Sequence, residues 1–252
     1  MAAFGFQLFS ARSVSSLPSF LGHLGGLGYA HVEGFGDAYT DPRTFRAALD
    51  ASGLRMPSGH FGLRDLQNDF ASCAHIASVL GVKTLIAPWL DEHERPTDKD
   101  GYKALANTLS ALGTRSANAG FGFAWHNHAF EIEQMRDGAR GLDVLLNEAP
   151  DLMWEADLAW VVRGGADPDL WLDRYAERIT ALHVKDLAAE GENAEQDGWA
   201  DLGSGIIDWP HLINRVRREA QGALLIAEHD NPASPTDFAT TAIAAFRDWT
   251  GA

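Results

Sequence analysis

ITALHVKD at 179–186 and ALLIAEHD at 223–230 bracket one complete structural repeat. Each is a short apolar run of strand length that ends on ionisable side chains. Between them Pro210 stands where a helix would begin and Gly222 where it would end. Two apolar runs joined through a helix make a parallel βαβ unit, because parallel neighbours require a crossover. The same grammar extends in both directions along the chain. FGFQLF (4–9), YAHVEGF (29–35), LRMPSGH (54–60), VKTLIAP (82–88), FGFAWHN (121–127) and LMWEAD (152–157) complete a set of eight runs, most beginning just after a Gly. Each has the continuous apolar character of a strand buried on both faces.

Helical spacing fills the intervals. Residues 66–80 put Leu66, Phe70, Cys73, Ile76, Ala77 and Leu80 on one side, and residues 102–116 do the same with Tyr102, Leu105, Ala106, Leu109 and Leu112. Pro18, Pro42 and Pro168 mark further helix starts, and Gly53, Gly81 and Gly120 further helix ends. Eight such repeats predict closure into a single (β/α)8 TIM barrel over residues 1–252. A doubly wound open sheet is disfavoured, since no G-x-G-x-x-G follows an early strand. The longest irregular piece is 188–209, a loop after the seventh strand that contains Trp199 and a G-S-G at 203–205. Its length suits a functional lid.

Composition narrows the function. The chain has 252 residues, 46% of them hydrophobic, and a formal net charge of −15. That sign repels phosphate backbones, and no basic stripe offsets it, so nucleic acid is a poor partner. No run of about 18 apolar residues is present, and a membrane span is not expected. MAAFGFQLFSARS lacks the pattern of a secretory leader, which makes the cytoplasm the expected location. Cys73 is the one cysteine; it excludes an internal disulfide and reads as a small buried hydrophobe.

In a barrel of this type the chemistry lies at the C-terminal strand ends. Those ends carry Gln7, Glu33, His60, His126 with His128, Asp157, His183 with Lys185, and Glu228; only the fourth, ending at Pro88 and Trp89, offers none. Four of the ten histidines fall here. Strand alternation turns His126 and His128 the same way, and likewise His183 and Lys185, with Glu155 on the face of Asp157 but one layer deeper. Any one of these alone reads as a hydrogen-bonded core residue. Together, His126, Asp157, His183 and Glu228 form a mixed N/O set that suits one divalent Mn, Co, Fe or Zn ion.

WHNHAFE (125–131), EADLAWVVRGGADP (155–168), LHVKD (182–186) and AEHDNP (227–232), with FQLFSARS and SGHFGL, resemble the xylose isomerase-like TIM barrel superfamily, in particular its sugar phosphate isomerase/epimerase-like proteins. The resemblance implies metal ligands at Asp157, His183 and Glu228, and a fourth at His126, where relatives commonly have Glu. It implies substrate contacts for Glu131, a pocket lined by His60, Trp160 and Lys185, and for Gln7 and Glu33 either contact with substrate or support of the barrel floor. Two-base epimerisation in the superfamily uses two metal-bound glutamates, and here only Glu228 is of that kind.

The expectation is therefore a metal-dependent isomerase or epimerase of a small carbohydrate, working through an enediolate. Glu228 or His128 would act as base, Lys185 would offset charge, and Trp125, Trp160 and Phe61 would give flat surface for a sugar. A metal-dependent lyase or dehydratase of a keto-sugar or inosose is the first competing reading. An apurinic endonuclease and a non-catalytic carbohydrate-binding barrel are the others. A homodimer is expected by base rate.

Overall fold

The computed structural model describes residues 3–251; Met1, Ala2 and Ala252 of the expected 1–252 domain lie outside the described residues. Eight parallel strands close into a barrel. In chain order they are β1 (Phe4–Gln7), β2 (His31–Gly34), β3 (Arg55–His60), β4 (Thr84–Ala87), β5 (Gly122–His126), β6 (Met153–Asp157) and β7 (Ile179–Val184), followed, after a two-stranded hairpin, by β10 (Leu224–Ala227). β1 pairs with β2 on one side and with β10 on the other, which closes the ring. All eight apolar runs are strands, each trimmed by a residue or more.

The surrounding helices are α1 (Leu17–Leu27), α2 (Pro42–Ala51), α3 (Leu63–Asn68), α4 (Phe70–Leu80), α5 (Lys99–Asn118), α6 (Gly141–Glu148), α7 (Leu158–Arg163), α8 (Pro168–Tyr175), α9 (Trp209–Glu219) and α10 (Pro235–Thr250). Pro18, Pro42, Pro168 and Pro210 occupy first turns, where the missing N–H costs no helical bond. Gly53, Gly81, Gly120 and Gly222 carry φ of 69°, 81°, 85° and 91°, the left-handed conformation that side chains resist and that ends a helix. The buried stripe of α5 is the one its spacing dictates: Tyr102, Leu105, Ala106, Leu109 and Leu112.

Two segments differ from the sequence reading. The helix expected over 66–80 is broken at Asp69, whose side chain accepts from Ser72 N and so caps a new helix rather than continuing the old one. The loop expected over 188–209 is ordered. The residues just before it, β8 (Asp186–Leu187), pair antiparallel with β9 (Trp199–Ala200) inside it. The buried Asp186 carboxylate accepts backbone N–H groups from Leu187, Gly203, Gly205 and Ile207, fixing the turn that follows. Gly205 is required there, because a Cβ would overlap the Asp186 carboxylate and the Leu187 carbonyl.

Cys73 is buried, and burial pushes its thiol up to about 11. Phe246 packs on the barrel itself, stacked on Phe4 at 4.0 Å. Among the described residues no helix is long and apolar enough to cross a membrane.

Candidate active site

Strand alternation decides which side chains reach the barrel axis. On β5, Trp125 and His126 point oppositely, so the strand that brings His126 inward sends Trp125 into the helical layer. The structure thereby corrects one expectation: Trp125 is fully buried and donates its Nε1–H to Glu131 Oε1 at 2.8 Å, away from any sugar surface. Phe61 is likewise buried and stacks on Tyr39 at 4.9 Å. Glu131 also accepts the His128 N–H at 2.8 Å through Oε2. Both of its oxygens are thus taken by the chain's own donors, and burial pushes its carboxyl up to about 8.

His126, Asp157, His183 and Glu228 come together, each with a ligand-competent atom within 4.8 Å of the others. All four are buried. Asp157 closes β6 and caps α7, accepting from Trp160 N at 2.9 Å through Oδ1, while Oδ2 faces the Lys185 ammonium at 3.1 Å. Asn127, a position the sequence reading passed over, locks that arrangement. It accepts Trp154 Nε1–H and Asp157 N–H on Oδ1 and donates to the Asp157 carbonyl.

His183 is held at both ring nitrogens, Nδ1 lying 2.8 Å from Glu228 Oε2 and Nε2 2.8 Å from Glu33 Oε1. Gln7 donates to the same Glu33 oxygen at 2.8 Å. Burial opposes the charge on His183, but Glu228 and Glu155 outweigh it and hold the imidazole well above its ordinary value. A divalent ion on Nδ1 would leave Nε2–H donating to Glu33, the carboxylate–histidine–metal arrangement that orients a ligand.

Lys185 follows His183 on the same face and is almost fully buried. Its Nζ lies 2.8 Å from Glu228, 2.8 Å from Asp230 and 3.1 Å from Asp157. Burial disfavours its charge, yet the three carboxylates reverse that and hold the ammonium well above its usual value. Burial also works against Glu228, but Lys185 and His183 keep its carboxyl well below the ordinary range. Asp230, missing from the sequence reading, is raised to about 6 by burial despite Lys185.

The mouth above this cluster is aromatic. His128 is half-buried, packed against Trp89 at 4.6 Å and Trp160 at 5.1 Å, and its Nδ1 has no hydrogen-bond partner. Burial and the Lys185 charge hold this imidazole well below its ordinary value, so it is neutral at pH 7. Trp160 packs edge-on against Trp199 of the hairpin at 4.6 Å, and Lys185 Nζ lies 5.2 Å and 4.9 Å from their rings. The hairpin thus meets the site through Trp199.

Below the cluster lies a second polar layer. His60 Nε2 is 2.6 Å from Glu155 Oε2 and 3.1 Å from Glu33 Oε1. Burial pushes the Glu155 carboxyl up to about 7, with Glu33 adding to the effect. Gln7, Glu33 and His60 therefore stand beneath the first cluster.

The chain is 23% identical over 245 residues to the rhizopine catabolism protein MocC of Rhizobium meliloti, covering 84% of this chain and 75% of that one. It is 21% identical over 246 residues to an inosose dehydratase of Lacticaseibacillus casei, covering 84% and 81%. Among solved structures it superposes on a sugar phosphate isomerase/epimerase of Parabacteroides distasonis with a TM-score of 0.80, at 22% identity, over 96% of this chain and 92% of that one. It superposes on the IOLI protein with a binding zinc atom with a TM-score of 0.81, at 14% identity, over 99% and 98%. Residues 24–249 match the family described as xylose isomerase-like TIM barrel, and the chain belongs to that family.

Proposed function

We propose that the protein is a divalent-metal-dependent enzyme that removes a proton beside the carbonyl of a small keto-sugar or keto-polyol. The observation that carries this reading is the convergence of His126, Asp157, His183 and Glu228 at the catalytic end of the barrel. The Asp157 and Glu228 carboxylates are buried there against the single ammonium of Lys185, and a donor set of two imidazoles and two carboxylates so placed fits a cation. Mixed imidazole and carboxylate donors suit Zn, Mn, Fe or Co. A cation held there would supply Lewis acidity to a substrate carbonyl.

The chain's own residues do the rest. Lys185 balances negative charge at the site and has Asp230 as an alternative partner when Asp157 and Glu228 are engaged elsewhere. His128 is the stronger candidate for the base, being neutral and with Nδ1 unpaired, whereas Glu228 is tied to Lys185 and His183. Trp160 and Trp89 offer apolar surface at the mouth, where Trp199 of the hairpin packs on Trp160.

Isomerisation or epimerisation is the reading the sequence leads to. Dehydration is the second, and two observations favour it. The place of a second metal-bound glutamate is held by His126, and Glu131 is engaged with Trp125 and His128 rather than free as a second base. The similarity to inosose dehydratases points the same way. Incubation with a panel of inososes and ketoses, followed by chromatography with mass spectrometry, separates them: a product lighter by one water marks a dehydratase, and a new peak of unchanged mass an isomerase or epimerase. Glu228→Gln and chelation should each abolish turnover. Full activity in either would refute the metal reading.

A further inference from the structure

The lower polar layer is more than a floor for the first site. Glu155 and His60 come from strands on different sides of the barrel, 95 residues apart, and meet at 2.6 Å. His126 Nδ1 lies 3.4 Å from the same Glu155 oxygen and has no hydrogen-bond partner. His60, His126, Glu155 and His183 each offer a donor atom within 4.8 Å of the others, a second such cluster distinct from the first in His60 and Glu155. Glu155 Oε1 and Glu33 Oε2 are buried with no partner.

We infer that the barrel binds a second divalent cation one side-chain layer below the first, held by His60 Nε2, His126 Nδ1 and Glu155 Oε2. Three physical considerations support it. Donors bound at about 2.0–2.2 Å around one ion lie roughly 3–3.5 Å apart; His126 Nδ1 stands at that separation from the Glu155 oxygen, 3.4 Å, and His60 Nε2, hydrogen-bonded to it at 2.6 Å, has to open by less than an ångström. The chemistry of the set, two imidazoles and a carboxylate, is that of a three-ligand transition-metal site with room for a further ligand.

The third consideration is charge. The two layers together hold five carboxylates, Glu33, Glu155, Asp157, Glu228 and Asp230, and one ammonium, Lys185. Metal binding displaces the protons that His60 and His183 carry in the ion-free barrel, and with the imidazoles then neutral the carboxylates exceed Lys185 by four negative charges, the charge of two divalent ions. Lys185 touches only the upper three carboxylates, so the lower pair has no permanent cation of its own.

The division of ligands also accounts for the histidine on the fifth strand. Asp157, His183 Nδ1 and Glu228 suffice as three protein ligands for the upper ion, leaving Nδ1 of His126 to the lower one. His183 keeps its Nε2–H on Glu33, so no ring nitrogen has to serve two ions.

The inference rests on the proposed metal reading only for the upper ion, and the two are separable. Protein stripped with a chelator is loaded with Zn²⁺, passed through a desalting column and assayed for zinc per chain by inductively coupled plasma mass spectrometry. About two equivalents are expected in the wild type, and about one in each of Glu155→Gln and His60→Gln, with circular dichroism confirming the fold. Asp157→Asn should also hold about one, since it disables the upper site alone. His60→Gln tests the same position should Glu155→Gln fail to fold. A single equivalent in the wild type overturns the second site whatever the variants do, and so do two equivalents that both lower-layer variants retain. Failure of the upper reading gives a different pattern, in which Asp157→Asn binds as much zinc as the wild type.

Discussion

Replacing Lys185 with Met isolates the electrostatics of the site from its packing. Met keeps the length of the side chain and its contact with Trp160 and Trp199, and removes only the ammonium. In the wild type that ammonium lies 2.8 Å from Glu228, 2.8 Å from Asp230 and 3.1 Å from Asp157, with 1% of the side chain exposed. Solvent cannot take over its role. Breaking a buried ion pair by removing one partner costs about 3–5 kcal/mol, because the partner charge is stranded. In a domain of this size each kcal/mol moves Tm by about 2–4 °C, so a fall of roughly 10 °C follows for metal-free protein at pH 7. The assay is thermal unfolding by circular dichroism, in chelator and then in excess Zn²⁺. Zinc should restore more of the loss in Lys185→Met than it adds to the wild type, since a divalent ion supplies the missing charge to the same oxygens. A Tm within about 2 °C of the wild type in chelator would refute the charge account. So would a fall that zinc leaves unchanged.

Asn127→Ala should leave the fold intact but free the Asp157 backbone from both of its hydrogen bonds to the Asn127 amide, weakening cation affinity by roughly 10–100-fold in calorimetric titration with Mn²⁺. His60 is raised to about 9 because Glu33 and Glu155 outweigh its burial. A raised imidazole contributes stability that is fully present below its unfolded value near 6.5 and is lost as pH climbs through about 9. In chelator the wild type should lose about 3 kcal/mol across that window, and His60→Gln should show a flatter calorimetric profile. Gly205→Ala places a Cβ against Asp186 and the Leu187 carbonyl; it should cost about 1–3 kcal/mol and expose the 188–206 segment to limited proteolysis.

The barrel was legible because parallel strands covered on both faces are written as unbroken apolar runs, and because proline and glycine punctuate the helices between them. The break at Asp69 was hidden by a helical stripe that continues across it. The local signal was the Asp69 side chain set three residues before Ser72, which competes with helix continuation. At the site, alternation along a strand correctly placed Glu155 one layer below Asp157. It could not reveal His60 as its partner, since that contact depends on the stagger of strands far apart in sequence. The same alternation places Trp125 in the helical layer, as an inward His126 requires its neighbour to face outward. Asp230 escaped notice because strand parity lapses beyond β10, although it lies in the same EHD triplet as Glu228.

The most direct test of the central claim is isotope exchange in heavy water. Incorporation of deuterium from D2O into an inosose or ketose, read by mass spectrometry, reports proton removal beside the carbonyl whether the product is an isomer or an alkene. Exchange should be seen with the zinc-loaded enzyme and should vanish on chelation, to return when zinc is restored. It should be absent in Glu228→Gln under all three conditions. Exchange that persists undiminished in chelator, or in Glu228→Gln, would contradict a metal-dependent proton abstraction at this site.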